Sequence, residues 1–139
     1  MVILRKRLSR VVSVLMCWQY TANSRYVLGT MQENTEFHVI LTTCSDIKNA
    51  EQIARELVVN HLAACVQIIP GVKSYFHWQG KLDNASEFLV LVKTVSDNYS
   101  VIEKKIRELH EYELPEILAL PVAGGFSDYL NWINDNTKP

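Results

Sequence analysis

Residues 63–81 read AACVQIIPGVKSYFHWQGK and decide the fold, because they predict the first arm and the turn of a long β-hairpin. Ala63–Ile69 is an almost continuous apolar run of strand length. Pro70-Gly71 interrupts it at a point where a bulge or bend is expected. Val72–Trp78 then resumes with strict alternation, and Gln79-Gly80-Lys81 supplies the turn.

The hairpin is predicted to close with Glu87–Val95 as its returning strand. Large side chains fall on both faces of the first arm, so neither face of this strand is clearly the solvent-exposed one. The rest of the chain is too short to cover so many aromatic residues. A partner subunit is the simplest cover for them.

The segments around the hairpin alternate between strand and helix patterns. An apolar, β-branched run precedes it, followed by an amphipathic stretch that predicts a helix of about 16 residues. A second amphipathic helix, a strand and a short helix are predicted after the hairpin. The signals are the strand Phe37–Thr43, the helix caps Ser45-Asp46 and Ser96-Asp97, the strand Glu116–Val122 and the cap Ser127 of the last helix. We therefore predict an α+β fold, a ferredoxin-like split βαβ sandwich with a long hairpin between its second and third strands and a C-terminal helix.

Composition predicts one domain and argues against a nucleic-acid surface. The chain has 139 residues, 48% of them hydrophobic and 21% charged, which suits a single core. Residues 1–30 contain five basic residues and no acidic one, whereas residues 31–139 contain nine basic and fifteen acidic residues, a balance of −6. An acidic body lacks the clustered Lys and Arg that phosphate binding requires.

Residues 1–30 are predicted to be an extension or a mis-called start, and residues 31–139 the folded domain. Val11–Trp18 is apolar but only eight residues long, and no small-residue cleavage site follows it. It is also far shorter than the roughly 20 residues of a membrane helix, so we expect a cytoplasmic protein without a membrane partner. Cys17, Cys44 and Cys65 are isolated and suggest neither a disulfide framework nor a structural zinc site.

The segment Glu108–Val122, ELHEYELPEILALPV, carries an imidazole, a phenol and four carboxylates at the end of the second predicted helix. His110 and Glu113 are the best candidates for metal ligation or proton transfer, because a three-residue spacing sets two side chains on one face of a helical turn. The alternative is a helix end where His110 favours the dipole and the carboxylates are solvated.

Cys44 stands between the first strand and the helix cap. A helix N-terminus could lower its pKa and make it a soft ligand or a reactive thiol, but a small buried residue filling a tight turn is the favoured interpretation. Glu87 and Lys93 lie about 20 Å apart along one strand, so a joint role requires another subunit or element. Trp78 and Tyr112 are expected to be core or interface aromatics.

Residues 37–139 resemble the CutA family of divalent cation tolerance proteins. Five motifs carry the resemblance in the same order, and they are Thr42–Asp46, Leu62–Val72, Trp78–Lys81, Glu87 with Lys93-Thr94, and His110–Leu120. The resemblance implies a homotrimer of ferredoxin-like subunits with clefts at the interfaces. This chain departs from the family pattern at Glu111, where the family usually has proline. Glu111 adds a negative charge beside the imidazole of His110.

The resemblance implies a non-enzymatic protein of metal tolerance that requires no cofactor and binds Cu(II) or another divalent cation weakly at the clefts. The candidate metal ligands are His110, Glu113 and Cys44. The other candidate cleft residues are Tyr112, Glu116, Lys93, Glu87 and Trp78. The alternatives are a sensor module of PII-like architecture that binds a small ligand in the same cleft, an analogy of fold only, and, ranked last, an enzyme with His110 as acid or base.

Overall fold

The computed structural model describes residues 36–137. The prediction for residues 1–30 lies outside these residues. The strands are β1 (Phe37–Cys44), β2 (Cys65–Trp78), β3 (Lys81–Val95) and β4 (Leu118–Pro121), and the helices are α1 (Ile47–Val59), α2 (Tyr99–Leu109) and α3 (Ser127–Asp135). The order β1-α1-β2-β3-α2-β4-α3 confirms the predicted α+β class and the C-terminal helix.

The four strands form one antiparallel sheet in the order β2-β3-β1-β4. The first strand therefore lies in the interior of the sheet, and β2 and β4 form its edges. This arrangement brings the end of β1 beside the middle of β3, since Cys44 is opposite Phe88 in the register.

The core lies between one face of the sheet and the helices α1 and α2. Alternate residues of the strands point to this face, as the period of a strand requires. The helices contribute residues spaced three or four apart, the spacing of one helical face. The fully buried members are Ile40, Cys44, Val90 and Val92 from the sheet, and Ala50, Ile53, Leu57, Ile102 and Ile106 from the helices.

The hairpin forms as predicted and is longer than predicted. A register irregularity falls between Ile69 and Val72, where Gly71 has φ +79°, so the expected bulge is confirmed. Gln79 (φ 50°) and Gly80 (φ 76°) make a two-residue turn with both residues in the left-handed region. Because that turn pairs the strands at once, β3 begins at Lys81 and not at Glu87.

Three helix boundaries differ from the prediction. Asp46 caps α1 as predicted, with its side chain accepting a hydrogen bond from Lys48 N–H, but α1 has 13 residues rather than about 16 because His61 turns to φ 54°. Ser96 and Asp97 belong to a short 3-10 helix, Ser96–Asn98, and do not cap α2. Ser127 is the first residue of α3 and makes no capping hydrogen bond.

The fourth strand is also shorter than predicted. It covers the four residues Leu118–Pro121, all paired with β1, whereas the apolar pattern suggested Glu116–Val122. Within the described part of the chain, no helix is long and apolar enough to cross a membrane.

Candidate functional site

Three elements bring polar side chains together at one corner of the fold. β1 ends there with Cys44, α2 ends there before His110, and β3 passes with Glu87 opposite Val72. The Asn49 side chain of α1 donates to Leu109 O at 2.8 Å, which satisfies one of the carbonyls that a helix leaves unpaired at its C-terminus. That bond fixes where α2 stops and where His110 leaves the helix.

His110 uses both nitrogens of its ring within the chain. Its Nε2 lies 2.9 Å from the carbonyl oxygen of Thr43, which can only accept, so Nε2 carries the proton. Its Nδ1 accepts a hydrogen bond from Tyr112 N–H at 3.0 Å. The ring is therefore a neutral imidazole in one defined tautomer.

Burial lowers the pKa of His110 below 6.5 and outweighs three effects that favour the charged form, the Thr43 carbonyl and the carboxylates of Glu111 and Glu87. The lowered pKa keeps the imidazole neutral near pH 7. Only the neutral ring has a lone pair that can bind a metal or accept a proton. The lowered pKa also means that His110 does not serve as a cation at the end of α2, although it occupies the position that follows the helix.

Tyr112 links His110 to a buried carboxylate. Its hydroxyl donates to Glu87 Oε1 at 2.9 Å, and its ring centroid lies 5.2 Å from that of His110. The Glu87 residue is only 6% exposed, so this hydrogen bond provides a partner that the buried carboxylate needs. Burial is the largest cause that raises the pKa of Tyr112, and Glu87 raises it further. The phenol therefore stays protonated and can donate a hydrogen bond.

Cys44 is fully buried, and its Sγ lies 3.7 Å from His110 Nε2. Burial is the largest cause that raises the pKa of its thiol to about 11, and the nearby Glu111, Glu87 and Asp46 raise it further. The pKa of this thiol is thus raised, whereas a soft ligand or a reactive thiol would need a lowered one. The geometry agrees with the favoured interpretation, a thiol packed in the core.

Ser45 contacts Glu111, the residue that follows His110. Its hydroxyl donates to Glu111 Oε2 at 3.1 Å. Ser45 and Asp46 were both predicted as caps of α1, but Asp46 alone makes the capping hydrogen bond. The Thr43 carbonyl, Asn49 and the contact of Ser45 with Glu111 were all missed by the sequence analysis. The only sequence signal was a polar Asn49 within the buried stripe of a helix.

The other predicted site residues are not at this corner. Glu113 and Glu116 are exposed, and His110 and Glu113 do not share a helical turn because α2 ends at Leu109. The Lys93 Nζ lies 5.8 Å from the ring centroid of Tyr129 in α3. Trp78 is exposed beside the hairpin turn. The structure therefore brings together Cys44, His110, Tyr112 and Glu87.

The described residues of one chain do not, as arranged, form a complete metal site. Among residues 36–137 there is no group of three or more His, Cys, Asp and Glu side chains that could hold an ion. The two best nitrogen and sulfur donors are a ring with both nitrogens engaged and a thiol with a high pKa. A cation would therefore need a rearrangement, further ligands from elsewhere, or both.

Comparison with known proteins gives a consistent result. The sequence model of "CutA1 divalent ion tolerance protein" matches residues 38–136. The divalent-cation tolerance protein CutA of Thermus thermophilus is 42% identical over 99 residues, which cover 71% of this chain and 96% of that protein. Protein CutA of Mus musculus is 37% identical over 117 residues, 84% of this chain and 63% of that protein.

Solved structures match the same part of the fold. The crystal structure of CutA from Xylella fastidiosa superposes with a TM-score of 0.73 at 39% identity and covers 74% of this chain and 99% of its own. The structure of the divalent cation tolerance protein from Thermus thermophilus has a TM-score of 0.72 at 41% identity, with 73% and 99% covered.

Proposed function

Because the chain belongs to the CutA1 family of divalent ion tolerance proteins, we propose that it serves divalent cation tolerance as a non-enzymatic, cytoplasmic homotrimer. It binds cations, Cu(II) among them, weakly at clefts between subunits. One observation carries the proposal. The corner of Cys44, His110, Tyr112 and Glu87 offers nitrogen, sulfur and carboxylate donors from three parts of the fold but does not form a complete metal site among residues 36–137 of one chain. A neighbouring subunit would complete the ligand set.

An apolar sheet face supports the proposed trimer. Ile117 and Ala119 pack towards the core, so the alternating Leu118 and Leu120 point to the opposite face of the sheet, where they are 53% and 49% exposed. Ile69 of β2 lies on that face too, since Ile68 packs against the core.

The hairpin extends the apolar surface beyond the body of the subunit. Tyr75 is 71% exposed, and Phe76, Trp78 and Leu82 are exposed as well. Surface of this extent and character is typical of a protein interface.

Calorimetric titration with Cu(II) tests the cation site, because the contribution of His110 can be separated from that of exposed imidazoles. Copper binds most accessible histidines, so His77→Ala, at an exposed position of the hairpin, is the matched control. We expect His110→Ala to lose a binding event that His77→Ala keeps. Identical isotherms for wild type and His110→Ala would remove His110 from the site, and a wild type that binds neither Cu(II) nor Zn(II) would refute cation binding.

A second candidate function is a sensor module of PII-like architecture that binds a small ligand in the same cleft. The two hydrogen bonds of the His110 ring favour it, because both ring nitrogens already have partners within the chain. A thermal-shift screen against nucleotides and small carboxylic acids separates the two candidates. A rise in melting temperature with such a ligand, and none with Cu(II) or Zn(II), would favour the sensor.

A further inference from the structure

We propose that Ser45 is a positioning residue of the corner, and that its hydrogen bond to Glu111 holds the chain after His110 in place, as a proline at position 111 would. The inference concerns the geometry of the corner and does not depend on what binds there, so it goes beyond the proposed function. It also gives a role to Glu111, the residue at which this chain departs from the family pattern.

The first step concerns what holds residues 111–115. They contain neither helix nor strand, and their backbone groups make no hydrogen bond to another backbone group in the described part of the chain. Two side-chain hydrogen bonds tie them to distant parts of the fold. The Tyr112 hydroxyl donates to Glu87 Oε1 at 2.9 Å, and Glu111 Oε2 accepts from the Ser45 hydroxyl at 3.1 Å. Side chains therefore supply the long-range hydrogen bonds of these residues.

The second step concerns the backbone at His110 and Glu111. His110 has φ −74° and ψ 140°, which is the extended conformation that a residue before proline adopts. The Glu111 N–H has no hydrogen-bond partner among residues 36–137, so a proline ring on that nitrogen would break no bond. The local backbone thus suits proline at position 111. Glutamate does not restrict the backbone in this way, so another constraint is needed.

The third step concerns where Ser45 lies. It stands between the end of β1 and Asp46, the residue that caps α1, so the strand and the helix fix the backbone on both sides of it. The same stretch contains Thr43, whose carbonyl oxygen lies 2.9 Å from His110 Nε2. The hydrogen bond from Ser45 therefore attaches Glu111 to the segment that also holds the imidazole.

The backbone N–H of Tyr112 reports whether this attachment matters. It donates to His110 Nδ1 at 3.0 Å, so it exchanges with solvent only when that bond opens. Exchange of a single amide measures local opening separately from global unfolding. If Ser45 positions the chain, loss of its hydroxyl should make the bond between Tyr112 and His110 open more often.

Amide hydrogen exchange tests the proposal through the protection factor of Tyr112, which corrects for the intrinsic exchange rate. We expect Ser45→Ala to lower it about fivefold, the effect of losing one hydrogen bond, and Ser45→Thr to keep it because the hydroxyl remains. Ser127→Ala, at an exposed serine of α3, is the matched control and should change nothing. The Val122 N–H, which donates to Phe37 O at 3.0 Å, should keep its protection in every variant.

Proline at position 111 provides the decisive rescue. When Glu111→Pro is added to Ser45→Ala, the protection of Tyr112 should return to the wild-type value, because the ring then restricts the backbone that the serine had held. A double variant that does not fold, or one that folds without this recovery, would overturn the proposal. In either case proline would not be equivalent to the hydrogen bond.

A double-mutant cycle separates Glu111 from the other group on which Ser45 acts. Burial and Glu87 raise the pKa of Tyr112, and Ser45 opposes them, so Ser45 also influences the phenol. Glu111→Ala should lower the protection of Tyr112 as much as Ser45→Ala does, and the two changes together should lower it no further. Full protection of Tyr112 in Ser45→Ala or in Glu111→Ala would refute the positioning role. None of these results bears on the calorimetric test of cation binding.

Discussion

The charge of Glu111 acts on two neighbouring groups, the imidazole of His110 and the thiol of Cys44. It raises the pKa of each, because a nearby carboxylate favours the protonated imidazole and disfavours the thiolate. We therefore expect Glu111→Gln to lower the pKa of His110 further and to lower the pKa of Cys44. NMR titration of the imidazole and the pH dependence of thiol alkylation measure the two shifts.

Glu113→Gln is the control for this prediction. Glu113 is exposed two residues further along and is not among the groups that perturb either pKa. Unchanged titration of His110 in Glu111→Gln would mean that the carboxylate held by Ser45 does not act on the ring electrostatically.

The lowered pKa of His110 predicts how stability depends on pH. The unfolded chain titrates near 6.5 and the native state below it, so the unfolded state binds more protons in the interval between the two. The free energy of unfolding should thus be insensitive to His110 above about pH 6.5 and should fall as the pH falls towards the native pKa. Urea denaturation across this interval measures the slope.

His110→Gln should make that slope shallower, because the native and unfolded states then no longer differ in the protons bound at position 110. The comparison uses slopes, because His110→Gln also changes the hydrogen bonds to Thr43 and Tyr112. Equal slopes in wild type and His110→Gln would show that burial does not depress this pKa.

Within the hairpin, the bulge depends on the backbone of Gly71. Its φ of +79° is rarely adopted by residues with a Cβ, although a Cβ placed there would touch nothing within 4 Å. We expect Gly71→Ala to reduce the free energy of unfolding by about 1 kcal/mol through backbone strain alone. Chemical denaturation measures the change.

Gly124→Ala is matched to it, because a Cβ at Gly124 also meets nothing within 4 Å and its φ lies outside the left-handed region. That variant should be neutral or stabilising by less than about 1 kcal/mol. A loss in Gly124→Ala as large as that in Gly71→Ala would contradict the role of the bulge.

Elements that depend on local sequence could be predicted, and their ends often could not. Pro70-Gly71 gave the bulge and Gln79-Gly80 the turn, because such residues determine backbone angles by themselves. The end of α2 at Leu109 could not be read from its own sequence, since Asn49 of another helix binds its last carbonyl. For that reason the expectation that His110 and Glu113 share a helical turn was wrong.

The candidate site was predictable as a segment but not as a set of contacts. The polar run after α2 indicated His110 and Tyr112, and Glu87 and Cys44 were named as well. The bonds from Tyr112 to Glu87 and from Ser45 to Glu111 join residues far apart in the chain. Only the folded sheet brings them together, and no periodicity in the sequence encodes that proximity.

For the whole molecule, the exposed face of the sheet predicts association. Leu120→Lys places a charge within the proposed interface, where its desolvation costs several kcal/mol. We expect wild type to sediment as a trimer and Leu120→Lys as a monomer. Val101→Lys, at a position 51% exposed on α2, is the control and should remain a trimer. A wild type that sediments as a monomer would refute the assembly.

The interior position of β1 in the sheet has a consequence for how the protein is made. Both neighbours of β1, the strands β3 and β4, come later in the chain. As the ribosome releases the nascent chain from its N-terminus, β1 emerges with both hydrogen-bonding edges unpaired. Neither α1 nor β2 can pair them, so the sheet cannot close until β4 has also emerged. One edge of β1 therefore stays open to non-native pairing until β3 has been made, and the other edge until β4 has been made.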